Sequence, residues 1–83
     1  MGKKIAYVVT ETYVFISDMS ISTFVIGIFD NFAASVELMD KLYKEKGDMG
    51  VIKYGKKGIW DWTIKTNTSR IKAEIQSIYV DIK

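Results

Sequence analysis

The chain opens with apolar residues on both alternating parities. In residues 3–17, KKIAYVVTETYVFIS, one side of an extended strand would carry Ile5, Tyr7, Val9, Tyr13 and Phe15, and the other Ala6, Val8, Val14 and Ile16. Successive strand side chains point to opposite faces, so a segment apolar on both is expected to lie centrally and to be covered twice. The small polar residues of SDMS, 17–20, predict a turn. ISTFVIGIF, 21–29, predicts a second strand that is again apolar on both sides, with Gly27 marking a bulge or a close approach. Together these segments read as a long hairpin. The period then changes. Phe32, Val36, Met39 and Tyr43 recur at i, i+4, i+7 and i+11, and Leu38 and Leu42 widen the stripe. That spacing predicts a helix over about 31–46, capped by Asp30 or Asn31 and stopped at Gly47.

Past the helix, residues 51–54 predict a strand, GKKG at 55–58 a turn, and 59–65 a returning strand. NTS, 67–69, is a further turn. In the last segment Ile71, Ala73 and Ile75 hold one parity, and Ile78, Val80 and Ile82 hold the other. The change near Gln76 and Ser77 predicts a bulge, with a short helix over 69–76 as the competing reading. The order is ββαβββ, an α+β fold: a mostly antiparallel sheet of about five strands with one helix packed on one face. No proline, repeat or low-complexity stretch divides the chain, so residues 1–83 are read as a single domain.

A helix of that length, about 22 Å, covers only one face of such a sheet. The first hairpin is apolar on both, so either the sheet curls to cover itself or another protein surface covers the second face. The exposed set is Tyr7, Tyr13, Phe15 and Val25, or the opposite set around Val8, Val14, Phe24 and Ile26. Tyr13, Val14, Phe15 and Phe24 are the residues expected to carry self-association, and a homodimer is the expected state.

Composition narrows the chemistry. The chain has no cysteine and no histidine. Disulfides, the commonest zinc ligands, the usual acid–base residue at neutral pH and the thiol nucleophile are therefore unavailable. The carboxylates are scattered, and no phosphate-loop, dinucleotide or calcium-loop spacing is present. The expectation is a non-catalytic protein that needs no cofactor and no metal. The apolar run at residues 5–9 is too short for a secretory signal, and the run at 24–29 is too short to span a bilayer, so the expected location is cytoplasmic, without a membrane partner.

Charge is uneven although the net value is only +2. Residues 1–48 hold five lysines against seven acids, and residues 49–83 hold seven basic residues against three acids. The basic half contains KYGKKGIWDWTIK, 53–65. Its alternation puts Trp60, Trp62 and Ile64 on one face. Either both tryptophans are core beneath the helix, or one of them is displayed beside Lys53, Lys56 and Lys57 as a stacking or hot-spot residue. Lys53, Lys56, Lys57, Trp60, Trp62 and Arg70 are the candidate binding residues.

The opening KKIAYVVTE, the strand ending VIGIFD, the helix NFAASVELMDKL and the final YVDI resemble segments of small phage and prophage α+β proteins of low-GC bacteria. Eleven lysines to one arginine fit an AT-rich genome of that kind. The resemblance covers about half of the chain, does not extend to IWDWTIKT, and carries no catalytic residues. It implies a host-takeover or anti-defence context. The expected function is thus a non-catalytic protein-binding protein, a phage-encoded inhibitor or modulator of a host or defence complex (anti-CRISPR-like), acting as a homodimer. The alternative is a small nucleic-acid-binding accessory protein that uses the basic and aromatic region between Lys53 and Lys72.

Overall fold

The computed structural model describes residues 2–82, with the side chain of Ile82 outside the described set. The elements run β1 (Gly2–Phe15), β2 (Ile21–Phe29), α1 (Phe32–Asp48), β3 (Tyr54–Lys57), β4 (Asp61–Lys65) and β5 (Ser69–Ile82). All strand pairs are antiparallel, in the order β2-β1-β5-β4-β3. The expected ββαβββ order and the α+β class are what the chain forms, with α1 on one face of a five-stranded sheet.

The two fourteen-residue strands are the spine. Their register runs unbroken from Gly2↔Ile82 to Phe15↔Ser69. At the strand rise this ribbon is about 46 Å long, close to the longest molecular dimension of 49 Å. The flanking strands are shorter. β2 reaches only to Phe29↔Tyr7, and β4 only to Asp61↔Glu74. Residues 2–6 and 78–82 therefore extend as a two-stranded ribbon with no strand on either side.

The core lies between α1 and one face of the sheet. Val9, Ile71, Ala73, Ile75, Trp62 and Ile64 are buried there with Met39 of α1, and Tyr7, Phe29, Phe32, Leu42 and Tyr43 pack around them. The Trp62 indole donates its N–H to the Met39 carbonyl at 2.9 Å, which fixes the helix over β4. Gly27 lies where α1 crosses β2. A Cβ there would come within 2.9 Å of the Phe29 ring and 3.0 Å of Leu38, so the close approach requires glycine.

Several sequence expectations shift. The helix passes through Gly47 and ends at Asp48, with Met49 as its cap. Gly50, at φ +69°, donates to the Gly47 carbonyl, and Val51 donates to that of Lys46, both at 3.0 Å. This is a Schellman closure, which needs the left-handed residue after the cap at Met49, and that residue is Gly50. Asn31, not Asp30, is the N-cap; its Oδ1 accepts from the Ala34 N–H at 2.8 Å. GKKG is mostly strand, since Tyr54–Lys57 pairs with residues 62–65. The chain instead reverses over residues 58–61, where the Gly58 N–H donates to the Asp61 carbonyl at 2.7 Å.

The expected irregularity near Gln76 and Ser77 is absent, and so is the competing helix over 69–76. The bulge is in β2. Gly27 pairs with Val9 and Val25 with Thr10, leaving Ile26 as the extra residue. Its effect is to reverse the parity of the first half of β2. Phe24 moves to the helix side opposite Glu11, and Val25 moves to the open face.

Candidate binding surfaces on the open face and the β2 edge

Register and alternation place the residues of the uncovered face in rows across the strands. One row is Tyr54, Lys65, Arg70, Val14 and Ile21; the next is Lys56, Thr63, Lys72, Thr12 and Thr23. Asp61, Glu74, Thr10 and Val25 follow, then Gln76, Val8 and Ile28, and finally Ala6 with Ile78 and Lys4 with Val80. The face is thus divided. Its β3–β4–β5 quarter is basic and hydroxylic. Its β2 side and the ribbon end are apolar.

The apolar part is unusually bare. Ile21, Val25 and Ile28 are 67%, 62% and 66% exposed. β2 is also an edge strand. Its nine residues include no charge and no proline, and its outer backbone N–H and C=O groups meet no other strand. Protein edges are normally blunted by lysine, proline or a short strand, because an open apolar edge pairs with other chains. Here only the bulge at Ile26 interrupts it. A folded chain of 9.5 kDa is expected to expose about 5,000 Å² with a radius of gyration of about 12 Å. This one exposes 5836 Å² and has a radius of 14.4 Å.

The residues expected to form the self-association face divide between two surfaces. Tyr13, Phe15 and Phe24 cluster on the helix side, with Tyr13 5.9 Å from Phe24 edge-on and 6.3 Å from Phe15 in a stack. They border a cavity of about 520 Å³ beside Glu11 and Ser22. Val14 faces the other way. Val14 is divided from Tyr13 and Phe15 by the ordinary alternation of β1, and the bulge in β2 moves Phe24 from the face of Val14 to that of Tyr13 and Phe15.

The expected binding residues do not form one site either. Trp62 is core. Trp60 lies at the helix N-terminal end, half exposed, its ring 4.5 Å from that of Phe32. The two tryptophans are therefore not both core: Trp62 lies deep under α1, whereas Trp60 is half exposed against Phe32. Lys57 is on the helix side, paired with Asp40. The Lys53 ammonium donates to Asn67 Oδ1 at 3.2 Å. Only Lys56 and Arg70 share the open face, where the register adds Tyr54, Lys65 and Lys72. A cavity of about 540 Å³ lies over this quarter, lined by Thr12, Val14, Tyr54, Thr63, Lys65, Arg70 and Lys72. The period-two alternation of Arg70 and Lys72 against Ile71 and Ala73 was the available signal for it.

A second charged feature was invisible in the sequence. Glu11 is buried, and one carboxylate oxygen lies 3.7 Å from the Lys46 ammonium without a hydrogen bond of its own. Lys46 also donates to the Tyr13 hydroxyl at 3.3 Å. The pair ties the end of α1 to the centre of β1 across 35 positions of sequence. Elsewhere, no group of three or more carboxylates that could hold a metal occurs among the described residues, and no helix among them is long and apolar enough to cross a membrane.

The fold and its surfaces define a small, elongated α+β domain with one open sheet face. Compared with protein-family models, curated proteins and solved structures, the chain matches none of them.

Proposed function

We propose that the protein is a non-catalytic protein-binding protein that acts as a homodimer, β2 pairing antiparallel with β2 of a second copy. The observation that carries this reading is the charge-free, apolar and unpaired β2 edge. The surface exposed beyond the size expectation is about 800 Å², close to what one partner buries in a standard interface. A two-fold axis normal to the sheet would put both helices on one side and join the two apolar open faces on the other. With no charge in β2, the strand meets its own copy without repulsion. In its most concrete form the dimer inhibits or modulates a host or defence complex; the resemblance of the strand and helix segments to small phage proteins supports that context.

Light scattering tests the assembly. We expect about twice 9.5 kDa at low and high salt alike, because the contact is apolar. Val25→Lys is expected to give a monomer with an unchanged circular dichroism spectrum, since Val25 is exposed and on the edge. A wild-type monomer at every concentration would overturn the dimer.

A further inference from the structure

We infer that the basic quarter of the open face is a binding site for single-stranded nucleic acid, with Lys65, Arg70 and Lys72 holding phosphates and Tyr54 stacking on a base. Four basic side chains, Lys56, Lys65, Arg70 and Lys72, occupy two adjacent rows there. Lys65 and Arg70 are directly opposite each other on neighbouring strands. Like charges in that position destabilise a sheet. Among the described residues neither has a carboxylate within ion-pair distance, and Lys56 has none; Lys72 reaches only Glu74, at 3.7 Å. The fold therefore keeps an uncompensated cationic pair over a cavity of about 540 Å³.

Three features favour a nucleic acid over an acidic polypeptide. Tyr54 is 64% exposed at the head of the Lys65–Arg70 row, as a stacking platform requires. The hydroxyls of Thr12 and Thr63 line the same cavity and can donate to phosphate oxygens. The two basic rows are about 7 Å apart along the strands, so the charges form a track and not a point. The basic side chains lie on β3, β4 and β5, away from the outer edge of β2, so the site stays open within the dimer.

The test is fluorescence anisotropy of a labelled oligothymidylate about 12 nucleotides long, with full-length wild type, Arg70→Glu, Tyr54→Ala and the exposed helix control Lys44→Glu. We expect binding at low salt whose log–log salt slope is about −2, as for three phosphate contacts on a single strand. Arg70→Glu is expected to weaken binding more than tenfold while raising the melting temperature, because it turns a repulsive pair with Lys65 into an attractive one. That rise shows the variant is folded. Tyr54→Ala is expected to lose at least fivefold with the slope unchanged. Absence of binding at low salt, an equal loss in Lys44→Glu, or an unaffected Tyr54→Ala would overturn the site. Displacement by an oligo-glutamate peptide at matched charge as effectively as by unlabelled oligonucleotide would also overturn it and assign the surface to an acidic protein.

Discussion

The two halves of β5 carry the same kind of apolar residue in opposite surroundings. Ile71, Ala73 and Ile75 are 4%, 0% and 5% exposed beneath α1, whereas Ile78 and Val80 are 44% and 43% exposed on the other face. The backbone does nothing to reconcile them, because the pairing with β1 has no irregularity from one end to the other. A bulge would have turned all of these residues toward one core. Its absence means that the parity change is written into the side chains and that the second apolar set is surface. The same contrast separates Phe29 from Ile28, whereas Trp60 differs from Trp62 in lying at the rim of the helix-covered side and not on the open face. Residues under the helix hold the domain together; their equivalents on the open face are available to something else.

The comparison can be broken by paired substitutions, best made in the Val25→Lys background so that dissociation does not enter the measured stability. The largest difference is expected for the tryptophans. Trp62→Ala removes a buried ring and its bond to Met39, costing about 3–5 kcal/mol. Trp60→Ala loses a tilted ring contact with Phe32 and is expected to cost about 1 kcal/mol. Urea unfolding reads both, and equal losses would erase the distinction between core and surface.

Lys46→Ala is next. It leaves Glu11 buried without its partner, and such uncompensated charges cost about 3 kcal/mol or more. Glu11→Gln in the same background is expected to recover much of that loss in the same unfolding measurement. Within β5, Ile71→Ala is expected to cost about 2–5 kcal/mol. Ile78→Ala, on the half-exposed side, is expected to change monomer stability by less than about 1 kcal/mol.

The smallest effect concerns the β1–β2 turn. The backbone N–H and hydroxyl of Ser20 both donate to Asp18 Oδ1, at 3.0 and 2.8 Å, and these bonds hold the Asp18 carboxyl below its ordinary 3.8. A lowered carboxylate stabilises fully above its unfolded value and loses that contribution as pH falls through the lowered one. The Ser20 amide resonance should therefore report a loosening of the turn only below that ordinary value, and Asp18→Asn should remove the transition.

The elements were legible in the sequence because their signals are local. The i, i+4, i+7 stripe from Phe32 to Tyr43 gave the helix, and the composition of residues 3–17 and 21–29 gave the first hairpin. The details that failed depend on distant partners. Whether GKKG is turn or strand is decided by its pairing with residues 62–65, and Gly47 yields to Gly50 because the returning chain closes on the Lys46 and Gly47 carbonyls. One extra residue at Ile26 was enough to exchange the faces of Phe24 and Val25, which moved Phe24 from the side of Val14 to the side of Tyr13 and Phe15. The basic quarter suffered in the same way. Lys56 and Arg70 were among the expected binding residues and Lys65 and Lys72 lay in the expected basic region, but only cross-strand register brings them together with Tyr54 on one face, and only the packing of α1 on β1 forms the Glu11–Lys46 pair.

The most direct measurement is hydrogen exchange of the β2 amides, residues 21–29, at high and low protein concentration. Only one edge of β2 is bonded, to β1, so about half of its amides point outward in a single copy. Pairing of β2 with β2 of a second copy predicts that these outward amides are protected at high concentration and lose that protection on dilution. Fast exchange at those amides at every concentration, beside protected inward ones, would contradict the open edge as the place where two copies meet.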